Sequence, residues 1–194
     1  MKNNLLLLQT GIFNINTWII KLSENEVIIV DPASCKESHD EMKIINFLNK
    51  NNLLPIGIIL THCHFDHIAG VKKFKEIYPE AKIIIGEKDA ILTEDSDKNV
   101  ADYFGASFEK FKPDILVKEN DQLEIGSKKF RVLETPGHSL GGVCYICDEE
   151  KFLFSGDTLF KLTVGRIAIT NGEMTTNEAI AHFKTEKKVI NEYL

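Results

Sequence analysis

Four side chains able to bind a metal, His62, His64, Asp66 and His67, fall within six residues of the run Thr61-His62-Cys63-His64-Phe65-Asp66-His67. Three of the chain's six histidines lie there, directly after the apolar stretch from Ile56 to Leu60. Such a cluster reads as a metal site on a loop leaving a buried strand. His62 and His64 stand two apart, so in an extended segment both project to the same side and grip one ion. Asp66 and His67 fall where a helix would begin and offer a second position. Cys63 points the opposite way and reads as packing.

A metal site needs ligands from separate parts of the fold, and two later segments supply them. These are Thr135-Pro136-Gly137-His138-Ser139 and Phe154-Ser155-Gly156-Asp157-Thr158-Leu159-Phe160. In each, a ligand-type residue follows an apolar stretch and a glycine, as expected of a loop at a strand end.

With Val30-Asp31-Pro32, the run from Thr61 to Gly70, Thr135 to Gly142 and Val164-Gly165-Arg166, the chain resembles the metallo-beta-lactamase fold superfamily, specifically its glyoxalase II-like small hydrolases. The matching pieces keep the family's order over nearly the whole chain. The resemblance implies an α/β fold, the αββα sandwich, with metals at one edge between two sheets. It implies that His62, His64 and His138 hold a first metal, that Asp66 and His67 contribute to a second, and that Asp157 bridges them. Zinc is expected, with two sites possible, and iron or manganese stay open as alternatives because imidazole and carboxylate ligands suit all three. The implied reaction is hydrolysis of a thioester or another small ester by a metal-bound hydroxide, which Asp66 helps to orient. Two other readings stay open: a mononuclear iron persulfide dioxygenase using His62, His138 and Asp157, and a degenerate member that binds metal without turnover.

The chain also departs from the family. One further histidine is normally supplied to the second metal by a Pro-Gly-His-Gly-like turn, and nothing here matches it. Asn171-Gly172-Glu173 falls at that turn in one alignment and at a helix start, continued by Ala179, Ile180 and Phe183, in another. His182 reads as a surface residue. A shortened C-terminal part with a weakened second site is therefore expected, and the sheet edge left unpaired invites a homodimer. No match to the family's glutathione-binding helical extension is found either. Lys161 and Arg166 could set positive charge near a substrate carboxylate.

Composition narrows the remaining classes. A length of 194 residues suits a single domain, 1–194. The net charge of −6, from 23 basic and 29 acidic residues without long single-sign runs, argues against a nucleic-acid surface. The four leucines from Leu5 to Leu8 are cut short by Gln9, Thr10 and Gly11, so neither a signal peptide nor a membrane helix is expected and a cytoplasmic protein is. The four cysteines define no disulfide framework. Cys144 and Cys147 sit three apart in an expected strand and face opposite sides.

The elements that must carry these loops are legible as periodicities. Strands are expected at Leu5 to Gln9, Trp18 to Leu22 and Val27 to Val30 as an antiparallel meander, then at Ile56 to Leu60 and Lys82 to Ile85. Five more follow between Ile115 and Ser155. Ser38 and Glu41 look like a capping box for a helix through Met42, Ile45 and Leu48. A second helix is expected over Ile68 to Tyr78 and a third from Glu87. Residues 93–112 match no simple period and read as an insertion flanking the site, a candidate substrate lid.

Overall fold

The computed structural model describes residues 4–160 and 163–165. The expected helix after Asn171, Lys161, Arg166 and His182 lie outside them.

The meander is present as β1 (Leu5–Thr10), β2 (Ile15–Lys21) and β3 (Glu26–Val30). From β3 the sheet turns parallel through β4 (Leu54–Ile59), β5 (Lys82–Gly86) and β6 (Ile115–Val117), giving six strands in sequential order. The second sheet is antiparallel, with β7 (Gln122–Ile125), β8 (Lys128–Glu134), β9 (Val143–Cys147) and β10 (Phe152–Phe154) side by side.

Period-2 alternation sorts the side chains of the first sheet. Ile28, Val30, Ile59 and Ile84 face Phe130, Val132, Tyr145 and Phe154 of the second sheet. Ile29, Ile58, Ile83 and Ile85 face the other way, onto Ile44, Ile45 and Leu48 of α1 (Lys43–Lys50) and Val71 and Phe74 of α3 (Val71–Ile77). Among the described residues the architecture is thus a two-sheet sandwich with helices covering the outer face of the first sheet. Cys147 belongs to the layer between the sheets and Cys144 to a separate cluster with Leu133 and Ile146, so the C-x-x-C spacing joins opposite faces of one strand. No helix among the described residues is long and apolar enough to cross a membrane.

Three local expectations change. Ser38 does not cap α1, whose N-cap position is Met42 without a side-chain bond. Ser38 Oγ bonds the Asp40 carboxylate instead, and that carboxylate accepts from Gly11 N and Cys35 N at 2.9 and 3.1 Å. The group therefore closes a loop rather than a helix end. The helix expected over Ile68 to Tyr78 is present as α3 but begins only at Val71; a separate short α2 (Phe65–Ile68) precedes it, and between them Gly70 N donates to Pro32 O. From Glu87 to Glu94 the chain winds as a 3₁₀ helix. A short hairpin of β11 (Leu159–Phe160) and β12 (Thr163–Val164) was not foreseen.

Candidate metal centre

Strand direction decides where chemistry can gather. Strands β3, β4 and β5 run parallel, and β8 and β10 run alike on either side of β9. Just beyond their C-terminal ends stand Asp31, His62, Asp89, His138 and Asp157 in turn. The first sheet is stitched to the second here, because Val143 N donates to Thr61 O at 2.9 Å and Tyr145 Oη to Leu60 O at 3.0 Å.

One ligand atom from each of His62, His64 and His138 falls within 4.8 Å of the others, and the same holds for His62, His67 and Asp157. His64 Nδ1 lies 2.8 Å from His138 Nε2. Asp157 reaches both groups, with Oδ1 3.3 Å from His67 Nε2 and Oδ2 3.5 Å from His138 Nε2. Asp66 is in neither triplet, but its Oδ2 stands 3.9 Å from His67 Nε2. All six residues expected to bind metal are therefore brought to one place. Cys63 is not: its side chain is buried in the apolar layer beneath.

The orientation of the rings follows from their outer partners. Thr61 Oγ1 donates to Asp31 Oδ2 at 2.7 Å, which leaves it to accept from His62 Nδ1 at 3.0 Å. His67 Nδ1 donates to the same Asp31 oxygen at 3.0 Å. Both rings thus turn Nε2 toward the cluster. His62 Nε2 is buried without a hydrogen-bond partner, which is rare for a buried polar atom, and His67 Nε2 is buried facing the carboxylates of Asp157 and Asp66 at 3.3 and 3.9 Å. Two inward-facing imidazole nitrogens beside carboxylates are the donor set that divalent metals take, with the carboxylate–histidine pairing that fixes a ligand's tautomer. The cluster fits a divalent metal.

The electrostatics agree. Burial, followed by the neighbouring His67, His64 and His138, pushes His62 well below the usual histidine range, so its ring is neutral, the form a metal takes. Burial raises the Asp66 carboxyl. It acts the same way on Asp157, yet His67 and the charges of His138 and His64 hold that carboxyl below its usual value. Burial also opposes a charge on His67, but Asp157, Asp31 and Asp66 outweigh it and raise the ring to about 10.

In the ion-free protein His67 therefore keeps a proton that an incoming cation must displace. The folded pKa lies above the ordinary 6.5, so this proton stabilises the ion-free fold fully below pH 6.5 and ceases to do so as pH rises through about 10. Apparent metal affinity is expected to rise about tenfold per pH unit between roughly pH 7 and 9. Competition with a chelating dye measures it, and a flat profile would show that His67 is already neutral.

Two functional residues escaped the sequence reading. Asp31, noted only as part of Val30-Asp31-Pro32, accepts from Thr61 N, Thr61 Oγ1 and His67 Nδ1 and is held at φ 49°, a strained backbone of the kind found at functional sites. Asp89 is wholly buried and accepts from Cys63 N at 2.9 Å, Ser139 Oγ at 2.7 Å and Gly141 N at 2.6 Å. It clamps the His62–His64 loop to the His138 loop. Its signal was available: Ile83-Ile84-Ile85-Gly86 followed by Asp89 repeats the rhythm of apolar stretch, glycine and ligand-type residue seen before His138 and Asp157. Gly156 has a geometric reason of its own, since at φ 48° a Cβ there would lie 2.2 Å from Thr61 Oγ1. Only glycine lets the Asp157 loop press against the first ligand loop.

Comparison with known proteins follows the same lines. The model of the metallo-beta-lactamase superfamily matches residues 10–188. A hydroxyacylglutathione hydrolase of Francisella philomiragia is 36% identical over 159 residues, 82% of this chain and 53% of that protein. One of Francisella tularensis subsp. novicida is 34% identical over the same length. The chain spans about half the length of the curated relatives it matches. Among solved structures, the B3 metallo-beta-lactamase BLEG-1 superposes with a TM-score of 0.82 at 29% identity, over 94% of this chain and 84% of that one. The protein TTHA1623, solved in a di-iron-bound form, gives 0.77 at 25% identity, over 95% and 86%.

Proposed function

Since the chain belongs to the metallo-beta-lactamase superfamily, we propose that it is a metal-dependent hydrolase of the glyoxalase II-like type, cleaving a thioester or another small ester. The observation that carries this reading is the convergence of two ligand triplets, His62, His64 and His138 with His62, His67 and Asp157, around the buried and unpartnered Nε2 of His62. His62, His64 and His138 would hold one divalent ion, and His67, Asp66 and Asp157 would share a second with them. Such ions supply Lewis acidity at the substrate carbonyl and bring the pKa of a water toward neutrality. Asp31 keeps His67 in the tautomer that faces the site. Asp66, on the floor of the adjoining cleft, would orient the attacking water and receive its proton, a task suited to a carboxyl raised by burial. Zinc is the first candidate metal. Iron is the second, supported by the di-iron form of a relative of the same fold.

A second reading has its own support. The dioxygenase was expected to use His62, His138 and Asp157, whereas Asp157 groups with His62 and His67; that two-histidine, one-carboxylate set is the arrangement of non-haem iron oxygenases and would suit a persulfide dioxygenase. One experiment separates the two. Protein purified without added metal is assayed for metal content, for thiol release from acyl thioesters and for oxygen uptake with a persulfide. Chelator-sensitive thiol release with two ions per chain is expected. Oxygen uptake with one iron would replace the hydrolase by the dioxygenase, and chelator-insensitive thiol release would overturn the mechanism.

A further inference from the structure

Beside His64, Asp66, His138 and Asp157 opens a cleft of about 700 Å³ whose walls are Phe13, Val100, Tyr103, Phe104 and Phe160. Large apolar side chains exposed on a folded chain are usually scattered. Here the four large exposed aromatic rings among the described residues, at 49% for Phe13, 84% for Tyr103, 48% for Phe104 and 48% for Phe160, all stand at this one mouth. They come from three distant segments: the β1–β2 turn, the 93–112 insertion and β11. Convergence from three segments is not an accident of local sequence.

The rings are also held in place. Phe104 stands edge-on to Phe13 at 5.2 Å and to Tyr103 at 5.0 Å, and packs at 5.5 Å on the buried Phe65, neighbour of Asp66. Phe65 N, at the start of α2, donates to Asn99 O at 2.9 Å, tying the base of the insertion to the ligand loop. Next to it Val100 sits at φ 64°, a conformation that a β-branched residue adopts only under constraint and that clusters at ligand clamps. Asp97 adds a carboxylate to the lining, outside the ligand cluster. Its charge disfavours a negative substrate arm, while flat apolar arms find edges and faces to stack on.

We propose that this cleft is a specificity subsite that receives an apolar arm of the substrate, aromatic or branched and without negative charge, beside the scissile bond. The proposal rests on the hydrolase reading above and narrows its substrate class. It makes Phe104 and Tyr103 specificity-determining residues that take no part in the chemistry.

The test is a two-way panel of thioesters on the metal-loaded full chain, with acetyl, phenylacetyl and succinyl groups on one thiol and then a benzyl or carboxymethyl thiol on one acyl group. A preference of about tenfold or more in kcat/KM for the phenyl-bearing arm in at least one series is expected. It should shrink about tenfold in Tyr103→Ala and Phe104→Ala, the first of which removes an almost fully exposed ring and so leaves folding intact. Saturation-transfer NMR with phenylacetamide should show binding to the wild type that both variants lose. Preference for succinyl or carboxymethyl arms, or a flat panel, would overturn the subsite. If no thioester turns over, the hydrolase reading fails, and the phenylacetamide titration alone then decides the cleft: binding lost in both variants sustains it, and absent binding overturns it.

Discussion

Asp157→Ala is expected to lower kcat/KM for a thioester by about 10³-fold or more and to reduce the bound metal by at least one ion per chain. The reasoning is positional. Asp157 has one oxygen against His67 and the other against His138, so it is the acidic side chain that reaches both candidate triplets. Removing it deprives the set His62, His67 and Asp157 of its only carboxylate, and strips His67 of a partner that supports its charge. His62, His64 and His138 remain, so one ion should survive. Metal counting by plasma mass spectrometry alongside steady-state kinetics makes the check. Full metal content with unchanged kcat would show that Asp157 merely lines the site.

Asp89→Ala is expected to cost roughly 3–5 kcal/mol of stability, because it strands buried donors that each cost about 1–3 kcal/mol when unpaired. The donors are Cys63 N, Ser139 Oγ and Gly141 N, and the residue itself is fully buried. The gap cannot close by collapse. A Cβ on Gly141 would already lie 2.2 Å from Asp89 N, so the backbones are in contact. A chain of this length loses roughly 2–4 °C of Tm per kcal/mol, so a fall of about 10 °C is anticipated. Asp89→Asn keeps one carbonyl oxygen and turns an amide toward the donors left over, so it should lie between the variant and the wild type. Urea unfolding with the metal chelated isolates the structural effect. A loss below about 1 kcal/mol would mean that water replaces the carboxylate at no cost.

The contrast between those two residues shows which parts of the site a sequence reveals. Asp157, like His62, His64 and His138, carries a ligand-type side chain in a short strand-end motif, and such motifs are local patterns. Asp89 acts across 26, 50 and 52 residues of chain, and no local period encodes which distant donors will meet a carboxylate. Most strands were legible for the same reason that the ligands were, since apolar alternation is local. The Ser38–Glu41 signature failed because Asp40 competes for Ser38 and is itself recruited by Gly11 and Cys35. The helix expected over Ile68 to Tyr78 starts only at Val71 because a tertiary bond from Gly70 N to Pro32 O intervenes within its first turn. The cleft was half visible: the 93–112 insertion was read as flanking the site, but Phe13 and Phe160 join it only in space.

The thiols of the chain carry a last consequence. The proposed thioester hydrolysis would set free a thiol at the mouth of the site, and free thiols exchange with any reachable cysteine that has been oxidised. Cys35, Cys63, Cys144 and Cys147 are all reduced and buried, at 8% exposure or less. Burial, with Asp89 alongside, also pushes the Cys63 thiol well above its usual range, so the cysteine between His62 and His64 resists forming a thiolate. Under the proposed reaction the chain would be chemically deaf to its own product. No mixed disulfide is expected as the thiol accumulates, and a thiol-reactive dye added to the reaction should read the product rather than the protein.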